Sequence, residues 1–429
     1  MIMPIFANMG EKLKALPSSY LFPYYFAFFL YCAWGWFDRT TLWNFDGAPS
    51  IGVLETVVQA AILLLLAISF LRQRAKVREW ILAIFIGVVG FIVWRTAAEG
   101  WLFWIALFVI CGKGVRIKPL ATILLSTVSL VFVFSILASS FNLIENIVAV
   151  RSNNGVVRAA MGFSHPNAFG AALLTICMAA VPLFGRKKFL LLVLCFVAAG
   201  LSLCVADSRT SALCLLLVGI LWPCYGWVSR FSCRRALVLA LGVLVVAMVA
   251  MSTWYMLFYN PGNPIDFVLN SALSGRLRLA NTYFLDHAPG LFGYNYADGT
   301  IFIDQGEELT FVVDNLYDHI LLRYGILAWT VFLASIAFFI SKAYKENCLG
   351  SLLFGMGIFL LYGMSETKGC RVDINFYIIS LWTVLYHRPL SQFDDEASDV
   401  ANVDSVVDGE ISFREFLLLP VEHIRGRRG

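Results

Sequence analysis

Twelve apolar segments run through this chain, separated by polar turns whose Lys and Arg content alternates from one turn to the next. A helix crossing the hydrocarbon core of a bilayer needs about 20 mostly apolar residues. Segments near 20–37, 51–70, 79–94, 96–111, 119–138, 168–184, 189–206, 210–228, 236–258, 316–340, 349–364 and 373–387 are the candidates. The third, fourth, eleventh and twelfth are short. Composition agrees, with 60% hydrophobic and 14% charged residues, against about 25% charged in soluble domains. Lipid offers no partner for backbone N–H and C=O groups, so such spans are helices. The expected fold class is all-α, a polytopic transmembrane helical bundle of about 12 spans.

Charge placement sets the expected topology, because cytoplasmic loops carry excess Lys and Arg. With the N-terminus inside, the inner turns hold Lys12 and Lys14; Arg72, Arg74, Lys76 and Arg78; Lys113, Arg116 and Lys118; Arg186, Lys187 and Lys188; Arg230, Arg234 and Arg235; and Lys342 and Lys345. Five more arginines follow from Arg388 onward, so 22 of the 32 basic residues fall inside. Both termini are then cytoplasmic, and the expected location is the cytoplasmic (inner) membrane of a bacterium, with the lipid bilayer as partner. No small-x-small cleavage site follows the first apolar run, which reads as a retained helix. The ten cysteines form no C-x-x-C pair and read as small core residues. The basic residues are the topology signal and give no support to nucleic-acid binding.

Residues 1–388 form the expected membrane domain, and 389–429 a cytoplasmic tail. Three outer connections exceed simple turns: 139–167, 259–315 and the acidic and basic loop 365–372. Loops beyond about 15 residues are usually functional or disordered. In the 259–315 loop, Asn263-Pro264 starts a helix and Pro289-Gly290 stops one. If continuous, that helix puts Arg276, Ala280, Tyr283 and His287 on one face, with Arg278 pointing roughly the other way. The tail carries seven acidic residues over 391–411, which reads as linker. Its last residues read either as an amphipathic segment at the inner membrane surface or as a loose end.

Ionisable residues at membrane depth are costly and usually functional. Arg151 and Arg158 precede Gly162-Phe163-Ser164-His165-Pro166-Asn167. Arg209 lies at the outer turn before the eighth span, Arg276 and Arg278 in LSGRLRL, and Arg323 in DNLYDHILLRYGILAW. Guanidinium groups give forked, charge-assisted hydrogen bonds to phosphate; interfacial snorkelling and loop ion pairs are the plain alternatives. His165 is held extended before Pro166, and Asn167 can cap the helix that follows. Asp314 suits a helix N-terminus or a general base. Asp318 and His319 are weaker candidates one turn on.

The serine-arginine turn, the S-G-R loop, Gly293-Tyr294-Asn295-Tyr296, and D-N-x-Y (314–317) before L-x-x-Y-G-I-L (321–327) together resemble the O-antigen polymerase and ligase superfamily. The H-P-N of 165–167 is similar to a feature of capsule and exopolysaccharide repeat-unit polymerases in that group. The resemblance covers roughly residues 150–345. It implies a C-type, metal-independent inverting glycosyltransferase without cofactor. Its substrates would be undecaprenyl-diphosphate-linked glycans at the outer face, and a flippase and a chain-length regulator are further partners.

By that resemblance Arg209 and Arg276 bind the diphosphate, with Arg278, Arg158 and Arg323 behind them. Asp314, or else His165 or His287, removes the proton of the attacking hydroxyl. Ligases of the superfamily commonly place a histidine where this chain has Asp314, which favours polymerase over ligase. A 12-span transporter or flippase is the rival of another class. Against it, the two halves lack hydropathy symmetry, and the polar content concentrates at the outer loops.

Overall fold

The computed structural model describes residues 21–44, 51–150, 155–228, 234–296, 302–304, 307–309, 313–394 and 409–417. Arg151, the first basic turn at Lys12 and Lys14, and the three final arginines lie outside the described residues.

The chain is all-α in its body. Helices α1 (Leu21–Phe37), α2 (Ile51–Arg72), α3 (Val77–Ala97), α4 (Trp101–Cys111) and α5 (Ile117–Ser140) come first. A small hairpin follows, β2 (Val148–Val150) on β3 (Val157–Ala159), and then α6 (Pro166–Phe184), α7 (Lys188–Cys204), α8 (Arg209–Val228) and α9 (Arg234–Phe258). Two short helices, α10 (Pro264–Ala272) and α11 (Arg276–Asp286), occupy the long connection, with β4 (Phe302–Asp304) paired to β5 (Glu307–Leu309). Next come α12 (Leu316–His319), α13 (Gly325–Lys345), α14 (Ser351–Tyr362) and α15 (Trp382–Leu385).

Among the described residues, six helical stretches are long and apolar enough to cross a membrane: α2, α3, α5, α6, α9 and the continuous Leu316–Lys345. Shorter apolar helices fill the remaining segments, among them α4 at 11 residues and α14 at 12. Some 78% of the apolar window of α6 is buried, against 11% for α2. Helix α6 is therefore a central post, and α2 presents its leucines and valines outward.

Two expected helices are interrupted. Residues 264–287 form α10 and α11, broken where Ser274 and Gly275 take left-handed φ angles of 57° and 83°. A left-handed glycine is a common way to end a helix, so Arg276 starts a new helix instead of lying mid-face. The stretch 316–345 carries a π turn at Ile320–Tyr324, a local widening often found at functional sites. The segment expected as the last span is a 3-10 turn, Phe376–Leu381, running into α15.

Part of the tail is docked. Strand β6 (Ile411–Ser412) pairs antiparallel with β1 (Arg74–Ala75). Phe413, which opens α16 (Phe413–Leu417), packs on Phe70 and Trp80 at 4.9 and 5.2 Å between ring centres. Lys113 reaches Glu410 at 2.8 Å, and Arg388 also pairs with Glu410.

Candidate functional site

The loops after α1, between β3 and α6, before α12 and after α14 meet at one end of the bundle. Backbone pairing sets the frame: Ser164 N–H donates to Arg39 C=O at 2.8 Å, and Thr41 N–H to Gly162 C=O at 2.9 Å. His165 is the extended residue capping α6, with Pro166 in the first turn. Its Nδ1 accepts the N–H of Asn167 at 3.0 Å. A neutral ring that accepts through Nδ1 carries its proton on Nε2. Burial first, then the cations Lys368 and Arg158, lower the His165 pKa to about 4. At neutral pH the ring is therefore uncharged, and its free edge is a donor.

Glu366 ties three segments together. Its Oε1 accepts from Asn167 Nδ2 at 2.9 Å and from Arg276 Nη2 at 3.5 Å. Asn167 Oδ1 in turn accepts from Arg158, whose Nε donates to Ala206 C=O at 2.8 Å. Arg276, the first residue of α11, meets Asp314 at 2.9 Å through Nη2 and at 3.0 Å through Nε. Beside Asp314, Asn315 caps α12 by accepting from the N–H of Tyr317 at 2.9 Å, and it donates to Ser252 Oγ at 2.8 Å. Burial raises the Glu366 pKa against the pull of Lys368 and Arg276.

A second group adjoins the first. Asp373 is fully buried and pairs with Arg39 at 2.6 Å and Arg371 at 3.3 Å. The Arg39 guanidinium lies 4.9 Å over the Trp36 ring. Glu99, between α3 and α4, pairs with Arg323 at 2.9 Å. It also receives Tyr324 Oη at 3.0 Å and faces His319 Nε2 at 3.1 Å. Arg371 lies within electrostatic reach of both Asp373 and Glu99, which joins the groups into one belt. Six basic residues (Arg39, Arg158, Arg276, Arg323, Lys368 and Arg371) stand against Glu99, Asp314, Glu366 and Asp373. The belt is thus positive by two, and an anion entering it offsets that excess.

The motif Gly293-Tyr294-Asn295-Tyr296 does a structural job here. Tyr294 N–H donates to Arg323 C=O at 3.0 Å, and Ile326 N–H to Gly290 C=O at 3.0 Å. This stretch therefore braces the π turn that aims Arg323 at Glu99. Gly293 has φ 87°, and a Cβ there would sit 2.1 Å from Arg323 O, so the backbones touch only because the residue is glycine.

Of the residues singled out in the sequence, Arg158, His165, Arg276, Asp314 and Arg323 fall in this belt. Arg209 begins α8 with its side chain 55% exposed, paired locally with Asp207 at 3.2 Å. Its neighbour Thr210 accepts from Ser365 Oγ at 2.9 Å, so Arg209 borders the belt without pairing to its carboxylates. Arg278 is half-buried on α11, its N–H held by Asn270 Oδ1 at 3.0 Å. His287 ends α11, about 16 Å from Arg276 at 1.5 Å per residue. There it stacks on Tyr294 at 4.2 Å and contacts Asp286 at 2.6 Å. Asp318 is buried in α12, with Oδ1 lacking a partner among the described residues.

Arg39, Glu99, Glu366, Lys368, Arg371 and Asp373 were not picked out as site residues in the sequence. The available signal was charge at the ends of apolar runs, in FDRT and in SETKGCRVD. Among the described residues, no group of three or more His, Cys, Asp and Glu is placed to hold a metal ion. Compared with known proteins, the chain matches no family model, no curated protein and no solved structure.

Proposed function

We propose that this protein is a membrane-embedded glycosyltransferase that polymerises lipid-diphosphate-linked oligosaccharide repeat units, with the charged belt as its catalytic end. In this reading all twelve apolar segments belong to a C-type bundle in the bacterial inner membrane, both termini are cytoplasmic, and the belt faces outward. The observation that carries it is the convergence of Arg158, His165, Arg276, Asp314 and Glu366 from loops far apart in sequence into a belt with excess positive charge. A diphosphate bridging sugar and lipid is the ligand such a belt suits. The groove below supports the same reading. A cleft of about 250 Å³ opens between α3, α4 and α13, lined by residues such as Leu102, Ile105, Ala328 and Phe332, and an isoprenoid chain matches that apolar wall.

In the proposed reaction a sugar hydroxyl of one lipid-linked unit attacks the anomeric carbon of the growing chain, opposite the diphosphate. The new glycosidic bond forms as the C–O bond to diphosphate breaks, and the hydroxyl proton passes to Asp314. Asp314 is one-third exposed, so an acceptor hydroxyl reaches it. His165 acts as a donor instead of the base, because Nδ1 is occupied by the Asn167 N–H. Arg276 stabilises the charge gathering on the leaving diphosphate, a contribution worth about 100–1,000-fold in rate for one donor.

The test is a reconstituted assay with short synthetic repeat units on a lipid diphosphate, run with EDTA. Ladders of longer glycans are expected. Intact substrate crossing a vesicle wall without elongation would replace this reading with transport.

A further inference from the structure

Two elements at the belt end expose an apolar face, and each is joined to a belt arginine. In the β2–β3 hairpin, Val148 pairs with Ala159, Ala149 with Arg158 and Val150 with Val157. Side chains alternate between the two faces of a strand. Val148, Val150, Val157 and Ala159 therefore share one face, and Ala149 and Arg158 the other. The three valines are 56%, 66% and 63% exposed, whereas Arg158 is 9% exposed and turns inward to Ala206 C=O and Asn167. Helix α10 repeats the arrangement. Ile265, Phe267 and Val268 are exposed, while Asp266 is buried and its carboxylate accepts the N–H of Asn260 at 3.0 Å. After the break at Ser274-Gly275, Arg276 opens α11.

Each apolar face continues the outer side of a helix that is long and apolar enough to cross a membrane, α5 for the hairpin and α9 for α10. On α5, Leu130, Phe134, Leu137 and the capping Phe141 are exposed, at spacings that put them on one stripe of the helix. The stripe runs on through the exposed Leu143 into the valine face. On α9, Trp254 and Phe258 are exposed one turn apart, with ring centres 4.8 Å from each other, and α10 follows from Pro264. Exposed apolar patches of this kind mark contact with another protein or with a membrane. Here the patch is unbroken from the flank of a spanning helix to the hairpin or short helix beyond it, so the hydrocarbon that covers the first is at hand to cover the second.

We propose that the β2–β3 hairpin and helix α10 are anchors in the lipid surface on the belt side of the membrane, with the acyl chains of that leaflet covering both apolar faces. Neither Val148, Val150, Val157 and Ala159 nor Ile265, Phe267 and Val268 brings a charge to its face, so no ion has to be desolvated on entry. Elements of this size lie in the interface and do not cross it. Burying valine and phenylalanine side chains among acyl chains is favourable, and it fixes the height of the hairpin and of α10. Arg158 on β3 and Arg276 after α10 are set at that height with them. The belt is thereby held at the level of the lipid headgroups, where the phosphate of any lipid lies. This inference needs a chain that spans a membrane and does not rest on the glycosyltransferase reading.

The experiment uses the full-length protein in liposomes of phosphatidylethanolamine and phosphatidylglycerol. The photoreactive residue p-benzoylphenylalanine replaces Val150, Val157 or Phe267 in turn. A reference variant carries it at Glu145, an exposed residue in the connection before the hairpin. After illumination, mass spectrometry should find acyl-chain adducts at the three apolar positions in several-fold excess over Glu145. Hydroxyl-radical footprinting of the unsubstituted protein gives a second reading that no variant can disturb. Phe141, Leu143 and Phe267 should be as protected from oxidation as Leu130 and Leu137 on the flank of α5.

Crosslinks from these positions to a second copy of the chain would overturn the lipid anchor and make the face an interface between protomers. Adducts no more frequent than at Glu145, or oxidation of Phe141, Leu143 and Phe267 well above that of Leu130 and Leu137, would put the faces in water and overturn it as well. The hairpin and α10 are read by separate probes, and each stands or falls on its own. Neither reading involves glycan synthesis, so a failure of the glycosyltransferase reading shows up separately in the ladder assay.

Discussion

Arg276 and Asp314 are 38 residues apart in sequence and meet at 2.9 Å, one opening α11 and the other leading into α12. The pair has two jobs, closing the long connection onto the bundle and holding a cation beside a carboxylate where a sugar hydroxyl and a diphosphate would meet. The two jobs separate under mutation.

Arg276→Ala should cut polymerisation in the ladder assay by about 100–1,000-fold and also lower the melting temperature, because Asp314 loses its partner. The charge-swapped double variant Arg276→Asp with Asp314→Arg should recover much of the melting temperature and none of the polymerisation. A double variant that makes ladders would reduce Arg276 to a structural tie.

Gly293→Ala should be among the more damaging single-methyl changes in the chain. The added carbon meets Arg323 O at 2.1 Å, and the left-handed φ of 87° adds strain. A cost on the order of 1–3 kcal/mol is expected, read as a lower melting temperature in detergent. Displacement of Arg323 from Glu99 should follow, read as a new accessibility of an Arg323→Cys thiol when the two changes are combined.

The His165 ring predicts a particular dependence on acid. Its pKa is about 4 in the folded protein, below the ordinary value of about 6.5. The folded state therefore binds fewer protons than the unfolded one as pH drops. Stability tied to this residue is fully present above about pH 6.5 and is lost as pH falls toward 4. His165→Gln, which can keep the acceptor to Asn167 N–H and a donor on the far side, should flatten the fall in melting temperature over that window. An unchanged slope in the variant would show that the ring is not held neutral.

Removing residues 409–429 should loosen the far end of the bundle without silencing the belt. Phe70 and Trp80 lose Phe413, while Lys113 and Arg388 lose Glu410. A partly buried phenylalanine contributes roughly 1–2 kcal/mol. The expected result is a melting temperature lower by a few degrees and faster proteolysis near Arg74, with ladders still formed. Complete loss of polymerisation would mean that the tail acts on the site itself.

Much of the helical layout was readable because it is local. The first apolar run, read as 20–37, is Leu21–Phe37, and the fifth, read as 119–138, is Ile117–Ser140. Asn263-Pro264 starts a helix as its capping chemistry suggests. The break at Ser274-Gly275 falls inside the stretch read as one helix if continuous, and there a left-handed glycine ends the first piece. The site was less readable. Asp314 and Arg276 stand out by residue type, but Glu366 gains its meaning only from Asn167, 199 residues earlier. Arg39 likewise depends on Asp373, whose backbone carbonyl receives Trp36 from 337 positions away. Pairings of that range leave no trace in spacing. Arg209 shows the reverse, a promising local setting whose side chain finds Asp207 and open space.

The β1–β6 pairing joins the turn at Arg74–Ala75 to Ile411–Ser412, a segment the ribosome makes long after it. Until Ile411 and Ser412 emerge from the ribosome, the Arg74–Ala75 edge has no strand beside it, and the helices on either side can still shift as later ones insert. Closing that short ribbon has to wait until the helices between its two strands have been made, and it then ties the early pair of helices to a late segment.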